Sequence, residues 1–161
     1  MRSPRPFASQ FGVATMVALL ASCAQPVWYQ PPTDAFNAAT LVGSKHPQLP
    51  LIPDERAFVV AVDGAPVRAQ AYGWDMPLAL APGPHTVQIG YSWSNDSGQV
   101  PLRIDLPPGA RYVVTFEPPK GGFTKMWLAD EATGAPVTEP YVVPINGGAT
   151  TFVPVFVHRG K

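Results

Sequence analysis

Three apolar runs that alternate residue by residue between positions 83 and 116 constrain this chain more than any other feature. Val87, Ile89, Tyr91 and Trp93 share one parity, with Thr86, Gln88, Gly90 and Ser92 on the other. Val100, Leu102, Ile104 and Leu106 form a second set, and Tyr112, Val114 and Phe116 a third. A period of two sustained over six to eight residues is the mark of a strand with one buried face. A helix would scatter these side chains around its axis.

Parity then predicts a register, because a one-residue slip turns a whole strand face to solvent. The first inward set is odd-numbered and the second even, so an even-length loop must join them. Asp96-Ser97, or the span from Asn95 to Gly98, satisfies this and predicts the pairs Trp93–Val100, Tyr91–Leu102 and Ile89–Ile104. The second and third sets are both even, so an odd loop over Pro107-Pro108-Gly109 would pair Ile104 with Tyr112, Leu102 with Val114 and Val100 with Phe116. The same register sets Asp105 opposite Arg111 on the outer face. Pro101 has no N–H to donate to a ladder, which predicts a bulge or splaying near the Asn95–Gly98 end.

Short strand signals recur along the rest of the chain. Ala39 to Val42 is an apolar run, and Ala57 to Val62 is a stronger one that ends in Asp63-Gly64, a favoured tight-turn dipeptide. Val67 to Ala71 reads as the return strand, Leu78 to Leu80 as a short strand closed by Pro82-Gly83-Pro84, and Phe123 to Ala129 as another. With 21 prolines and 14 glycines, long helices are poorly served. The fold expected is a single antiparallel β-sandwich of roughly seven to eight short strands over residues 38–139. Residues 140–161 read as a tail or edge strand. Thr150 to Val157 has β-propensity, but Pro154 confines it to an edge.

The first 22 residues have the form of an export signal. Arg2 and Arg5 supply a basic start, and Phe11 to Ala21 an apolar core well short of the roughly 20 residues that a membrane span needs. The core ends in Leu20-Ala21-Ser22-Cys23, which resembles the lipobox of bacterial lipoproteins. That resemblance implies cleavage before Cys23 and lipidation of its sulfur and amine. Cys23 is the single cysteine of the chain, so no disulfide competes for it. Ala24 stands where an Asp would favour the inner membrane in Gram-negative members, which implies the periplasmic face of the outer membrane. Residues 23–37, with Pro26, Pro31 and Pro32, read as an extended tether whose Val27, Trp28 and Tyr29 either meet the membrane interface or dock on the domain.

Cleavage would leave 139 residues with nine basic and eleven acidic side chains, a balance that gives no basic surface for nucleic acid. Reactive constellations are missing from the sequence. His46, His85 and His158 lack zinc-ligand spacing, and there is no HExxH, GxSxG, EF-hand loop or Gly-rich phosphate loop. His85 reads as a strand-start residue. Neither catalytic residues nor a metal or cofactor is expected. The aromatics of the Gly-containing segment AYGWDMP, Tyr72 and Trp74, are the candidate ligand contacts, although such residues also plug the end of a sandwich. Trp127 reads as core.

A broader resemblance rests on Val60-Ala61-Val62-Asp63-Gly64, then Pro77-Leu78-Ala79-Leu80-Ala81-Pro82-Gly83-Pro84-His85-Thr86-Val87, with Pro108 to Val114 and Trp127 to Asp130 further on. Together these look like a PEGA-type β-sandwich module, as carried by small proteobacterial lipoproteins. The resemblance covers about residues 57–137 and implies a fold, with no catalytic residues. The expected function is accordingly a non-enzymatic, lipid-anchored cell-envelope protein that binds another protein or has a structural role. The alternative is a glycan- or peptidoglycan-binding module using Tyr72 and Trp74. A hydrolase built from dispersed carboxylates is a third reading.

Overall fold

The computed structural model describes residues 26–34 and 36–147. Eleven strands follow in chain order: β1 (Ala39–Val42), β2 (Ser44–His46), β3 (Glu55–Val62), β4 (Ala65–Pro66), β5 (Leu78–Leu80), β6 (Gly83–Trp93), β7 (Asp96–Leu106), β8 (Arg111–Lys120), β9 (Phe123–Asp130), β10 (Tyr141–Pro144) and β11 (Asn146–Gly147). No helix occurs among the described residues. One sheet has the order β10-β9-β8-β1-β5, and the other β11-β7-β6-β3-β2 with β4 paired to the end of β3. The molecule is thus an all-β sandwich, antiparallel except where β1 runs parallel to β8. The strand count exceeds seven to eight because β2, β4 and β11 are only two or three residues long, too short to leave a periodic signal.

The core is where the alternating residues of the two sheets meet. Leu41, Leu80, Val114, Met126 and Leu128 come from one sheet, and Val59, Val87, Ile89, Tyr91, Val100 and Leu102 from the other. Tyr91 and Phe116 join the layers edge to face, with ring centroids 5.4 Å apart. Burying such side chains contributes roughly 1.5–3 kcal/mol each before the entropy of ordering is counted.

The β6–β7 hairpin keeps the predicted parity but not the predicted register. Ile89 pairs with Val100, Val87 with Leu102, Tyr91 with Gly98 and Trp93 with Asp96. The two-residue turn is Ser94-Asn95, with Ser94 at a φ of 52°. Gly98 is not a turn residue. A Cβ there would lie 2.8 Å from the Pro144 carbonyl oxygen and 2.9 Å from Val143 Cγ1, so the glycine leaves room for the end of the chain to approach. Pro101 brings no bulge, since the ladder runs unbroken from Gly83–Leu106 to Trp93–Asp96. On its other side β7 meets β11 only at Asp96 and Ser97, so the ladder bond that Pro101 lacks falls on an uncovered edge.

β7 and β8 do not form a hairpin at all. Residues 107–110 carry the chain from one sheet to the other, and β8 pairs instead with β9 and β1. Leu102 and Val114 both point into the core, but from opposite sheets. Arg111 consequently has Glu131 as its partner, not Asp105. The return after Asp63-Gly64 is only Ala65–Pro66, and residues 67–77 leave the sheet. Trp127 pairs with Thr115 on the outer face and is partly buried, while its neighbours Met126 and Leu128 fill the core.

Two crossings close the open sides of the sandwich. On one, β10 extends the first sheet, and β11, one residue later, extends the second. The C-terminal edge strand is therefore part of the sandwich, which continues to Gly147 rather than ending at 139. Thr150 to Val157, like Cys23 and the leader, lies outside the described residues. On the other side, residues 67–77 pass from β4 to β5 and cover the gap between the two sheet edges.

Candidate functional site

The 67–77 crossing holds both aromatics singled out in the sequence. It starts with the Val67 amide donating to the Val60 carbonyl (2.8 Å), on the stretch of β3 between β2 and β4. Two turns follow, with the Gly73 amide donating to Ala69 and the Met76 amide to Gly73, both at 3.0 Å. Gly73 is needed for this winding, because a Cβ would fall 2.6 Å from that of Ala69. In such winding turns residues two positions apart lie on roughly opposite sides. Tyr72 is 96% exposed, whereas Trp74 is half-buried against the sandwich. The two rings are not one platform.

Beneath the crossing lies a pocket of about 250 Å³. Trp74, Met76 and Leu78 form one wall, Leu41, Phe58 and Val67 the floor, and Tyr29 and Pro31 of the tether the far side. Arg68 and Gln70 are its polar lining. Three contacts fix this shape. Gly43, where the chain steps from β1 to β2, donates its amide to the Trp74 carbonyl at 2.7 Å. Tyr29 donates its amide to Pro66 (2.9 Å) and its hydroxyl to the Ala79 carbonyl (3.0 Å). Burial, helped by the charge of Asp63, raises the Tyr29 pKa, so the phenol remains a donor. Two cations stack on aromatics nearby: Arg68 lies 5.4 Å from the centre of the Trp28 ring, and Lys45 Nζ 5.8 Å from that of Trp74. Of the tether's two sequence alternatives, docking on the domain is the one found for Trp28 and Tyr29.

A second, open hollow of about 330 Å³ is lined by Asp63, His85, Thr86, Arg103 and Asp105. Its His–Asp pair has the look of a catalytic dyad, but the geometry is that of a clamp. His85 Nδ1 lies 2.7 Å from Asp63 Oδ2, and Nε2 lies 2.8 Å from the Ala81 carbonyl. Both ring nitrogens are thereby engaged, and neither faces the hollow free. Asp63 also accepts the Thr86 amide at 2.8 Å and returns its own amide to the Thr86 carbonyl. The Thr86 bond first, and His85 after it, hold the Asp63 carboxyl below its usual range. The left-handed φ values of Asp63 (49°) and Gly64 (82°) make the tight turn that aims this carboxylate back at β6.

Sequence reasoning missed one residue. Glu55 begins β3 with the same parity as Ala57 and Val59, and is only 5% exposed. Its Oε2, the Tyr91 hydroxyl and the Trp93 Nε1 are buried without hydrogen-bond partners, and the contact between His46 Nδ1 and Glu55 Oε2 is 3.7 Å. Burial first, then the Glu55 charge, raises the Tyr91 pKa. The available signal was parity: an acid in phase with an apolar set must face inward. Among the described residues no three His, Cys, Asp or Glu side chains come together to hold a metal ion.

These surfaces present an apolar pocket flanked by cations, and a His–Asp clamp whose groups hydrogen-bond within the fold. No family model, curated protein or solved structure matches the chain.

Proposed function

We propose that this chain is a non-enzymatic, lipid-anchored β-sandwich of the cell envelope, with a PEGA-like core, whose pocket beside Trp74 holds an apolar group of an envelope protein. The observation that carries the proposal is the pocket itself, a 250 Å³ apolar hollow roofed by the 67–77 crossing and walled by the docked tether. Its volume suits one or two large side chains of a partner. Anchoring rests on Cys23 and its preceding Leu20-Ala21-Ser22, and two or more acyl chains hold a protein stably on a membrane. Among the described residues no helix is long and apolar enough to cross a membrane. Ala24 supports the periplasmic face of the outer membrane.

A photo-crosslinking residue at Met76, on the pocket wall, tests the binding role in cells. A discrete protein adduct that disappears in Trp74→Ala is the expected outcome; an adduct pattern unchanged by Trp74→Ala refutes it. Cys23→Ala should move the protein out of the membrane fraction, and unaltered partitioning would reject the anchor. The near-complete exposure of Tyr72 favours a second reading, a glycan stacked on that ring. In that case Tyr72→Ala alone abolishes retention on peptidoglycan and leaves the Met76 adduct intact.

A further inference from the structure

Ten large apolar side chains are exposed among the described residues, and six belong to three adjoining segments. Val27 is in the tether, Leu49, Leu51 and Ile52 are in the β2–β3 loop, and Tyr72 and Met76 are in the 67–77 crossing. Lys45 ties the loop to the crossing, with Nζ 3.3 Å from Asp54 Oδ2 and 5.8 Å from the Trp74 ring centre. Arg68, stacked on Trp28, ties the crossing to the tether. The loop has a defined shape. Asp54 accepts the Gln48 amide, the Ile52 amide donates to Leu49, and Leu51 is held at a φ of 74°, a conformation that bulky residues seldom adopt. Leu51 is wholly exposed at the tip and Leu49 is 72% exposed beside it.

We propose that the β2–β3 loop docks on the lipid bilayer, with Leu49, Leu51 and Ile52 entering the interfacial layer. The proposal rests on the lipid-anchor reading above, and the length of the chain selects the occupant. Five residues carry the chain from Cys23 to the docked Trp28, which limits the separation to about 18 Å even when fully extended. A lipid on Cys23 therefore holds the bilayer within that reach of Trp28 and Arg68, at the start of the crossing whose Trp74 end meets Lys45 and the β2–β3 loop. The tip is protruding and aliphatic, without the aromatic and arginine anchors that concentrate binding energy at protein interfaces. Acyl chains accept such a shape, and an insertion depth of roughly 5–10 Å is what an interfacial apolar element reaches. Lys45 and Arg68 then stand at the level of the lipid phosphates.

The test uses the full-length protein reconstituted in phosphatidylethanolamine–phosphatidylglycerol vesicles. Leu51→Cys, and separately Val142→Cys as control, carries a polarity-sensitive fluorophore; Val142 is exposed on β10, at the opposite edge of its sheet from β5. The expected result is a blue-shifted Leu51 probe that loses most of its emission to doxyl-labelled lipid and little to aqueous iodide, with the reverse at Val142. Vesicle-bound protein whose Leu51 probe is quenched by iodide like Val142 overturns the docking proposal and leaves the anchor standing. A Leu51 probe shielded from both quenchers also overturns it, since a protein then covers the loop. Protein that fails to sediment with vesicles removes the anchor, and with it this proposal.

Discussion

Gly43→Ala tests whether the pocket is held together where β1 steps into β2. The ideal Cβ would lie 2.3 Å from the Ala57 carbonyl oxygen and 2.5 Å from that of Trp74. Both neighbours are backbone, so no rotamer change relieves the overlap. Gly43 is outside the left-handed region, and alanine has no conformational penalty of its own there. In open space the substitution would stabilise by about 0.4–1 kcal/mol through the unfolded chain, so even the sign is diagnostic. Overpacking costs about 1–3 kcal/mol, and losing the bond from the Gly43 amide to Trp74 adds about 1 kcal/mol. A net loss of about 3 kcal/mol is a large part of the 5–15 kcal/mol typical of a domain. In urea it should lower the midpoint by about 1.5–2 M at unchanged slope. Deuterium exchange should rise first in residues 67–77. A midpoint within about 0.3 M of the wild type would refute the steric reasoning, given ordinary slopes.

Three further outcomes follow from the same contacts. Tyr91→Phe removes a buried hydroxyl without a partner, so stability by urea titration should be unchanged or higher by up to about 1 kcal/mol; a loss above that would mean the hydroxyl is satisfied. Asp63 has a folded pKa below its unfolded value, so its contribution is fully present above roughly pH 4 and fades as pH falls through the lower folded value. Asp63→Asn should therefore destabilise at pH 6 and matter little at pH 2, by at most about 1 kcal/mol for a carboxylate half in solvent; an equal effect at both values would contradict the clamp. Gly98→Ala should cost about 1–3 kcal/mol and raise amide exchange in β10, whereas an unshifted midpoint would mean that the chain end is not tightly seated.

Much of the scaffold was legible because alternation is a local property. Each of Ile89, Leu102 and Val114 announces its own inward orientation through its neighbours two residues away. Parity does not say whether two inward residues lie side by side or face to face. Leu102 and Val114 satisfied the hairpin arithmetic equally well from opposite sheets, and Pro107-Pro108-Gly109 serves a crossing as readily as a turn. The four-residue slip in β6–β7, which moves the turn by two positions, has the same root. Gly98 looks like a turn residue in sequence, and only the approach of Val143 and Pro144 reveals it as a spacer. Of the candidate contacts, Trp74 does line a pocket, but Tyr29, Phe58 and Leu41 arrive from three distant segments that no local pattern links. Glu55 was readable in principle and obscured by its charge.

The parallel pairing of β1 with β8 governs the order in which the molecule can assemble. Thr40 waits for Arg111, and Leu41 for Tyr112, so β1 has no partner in its own sheet other than the three-residue β5 until most of the domain has been made. A two-stranded ribbon of that size is marginal in water, and contacts so distant in sequence form slowly. The hairpins β6–β7 and β8–β9 are local and can lead. Leu41 and Leu78 sit on the late elements and line the pocket, so the pocket is completed only when β1 docks on β8, and a chain interrupted before residue 113 would leave Phe58 and Val59 under the crossing without a β1 held in its sheet beside them.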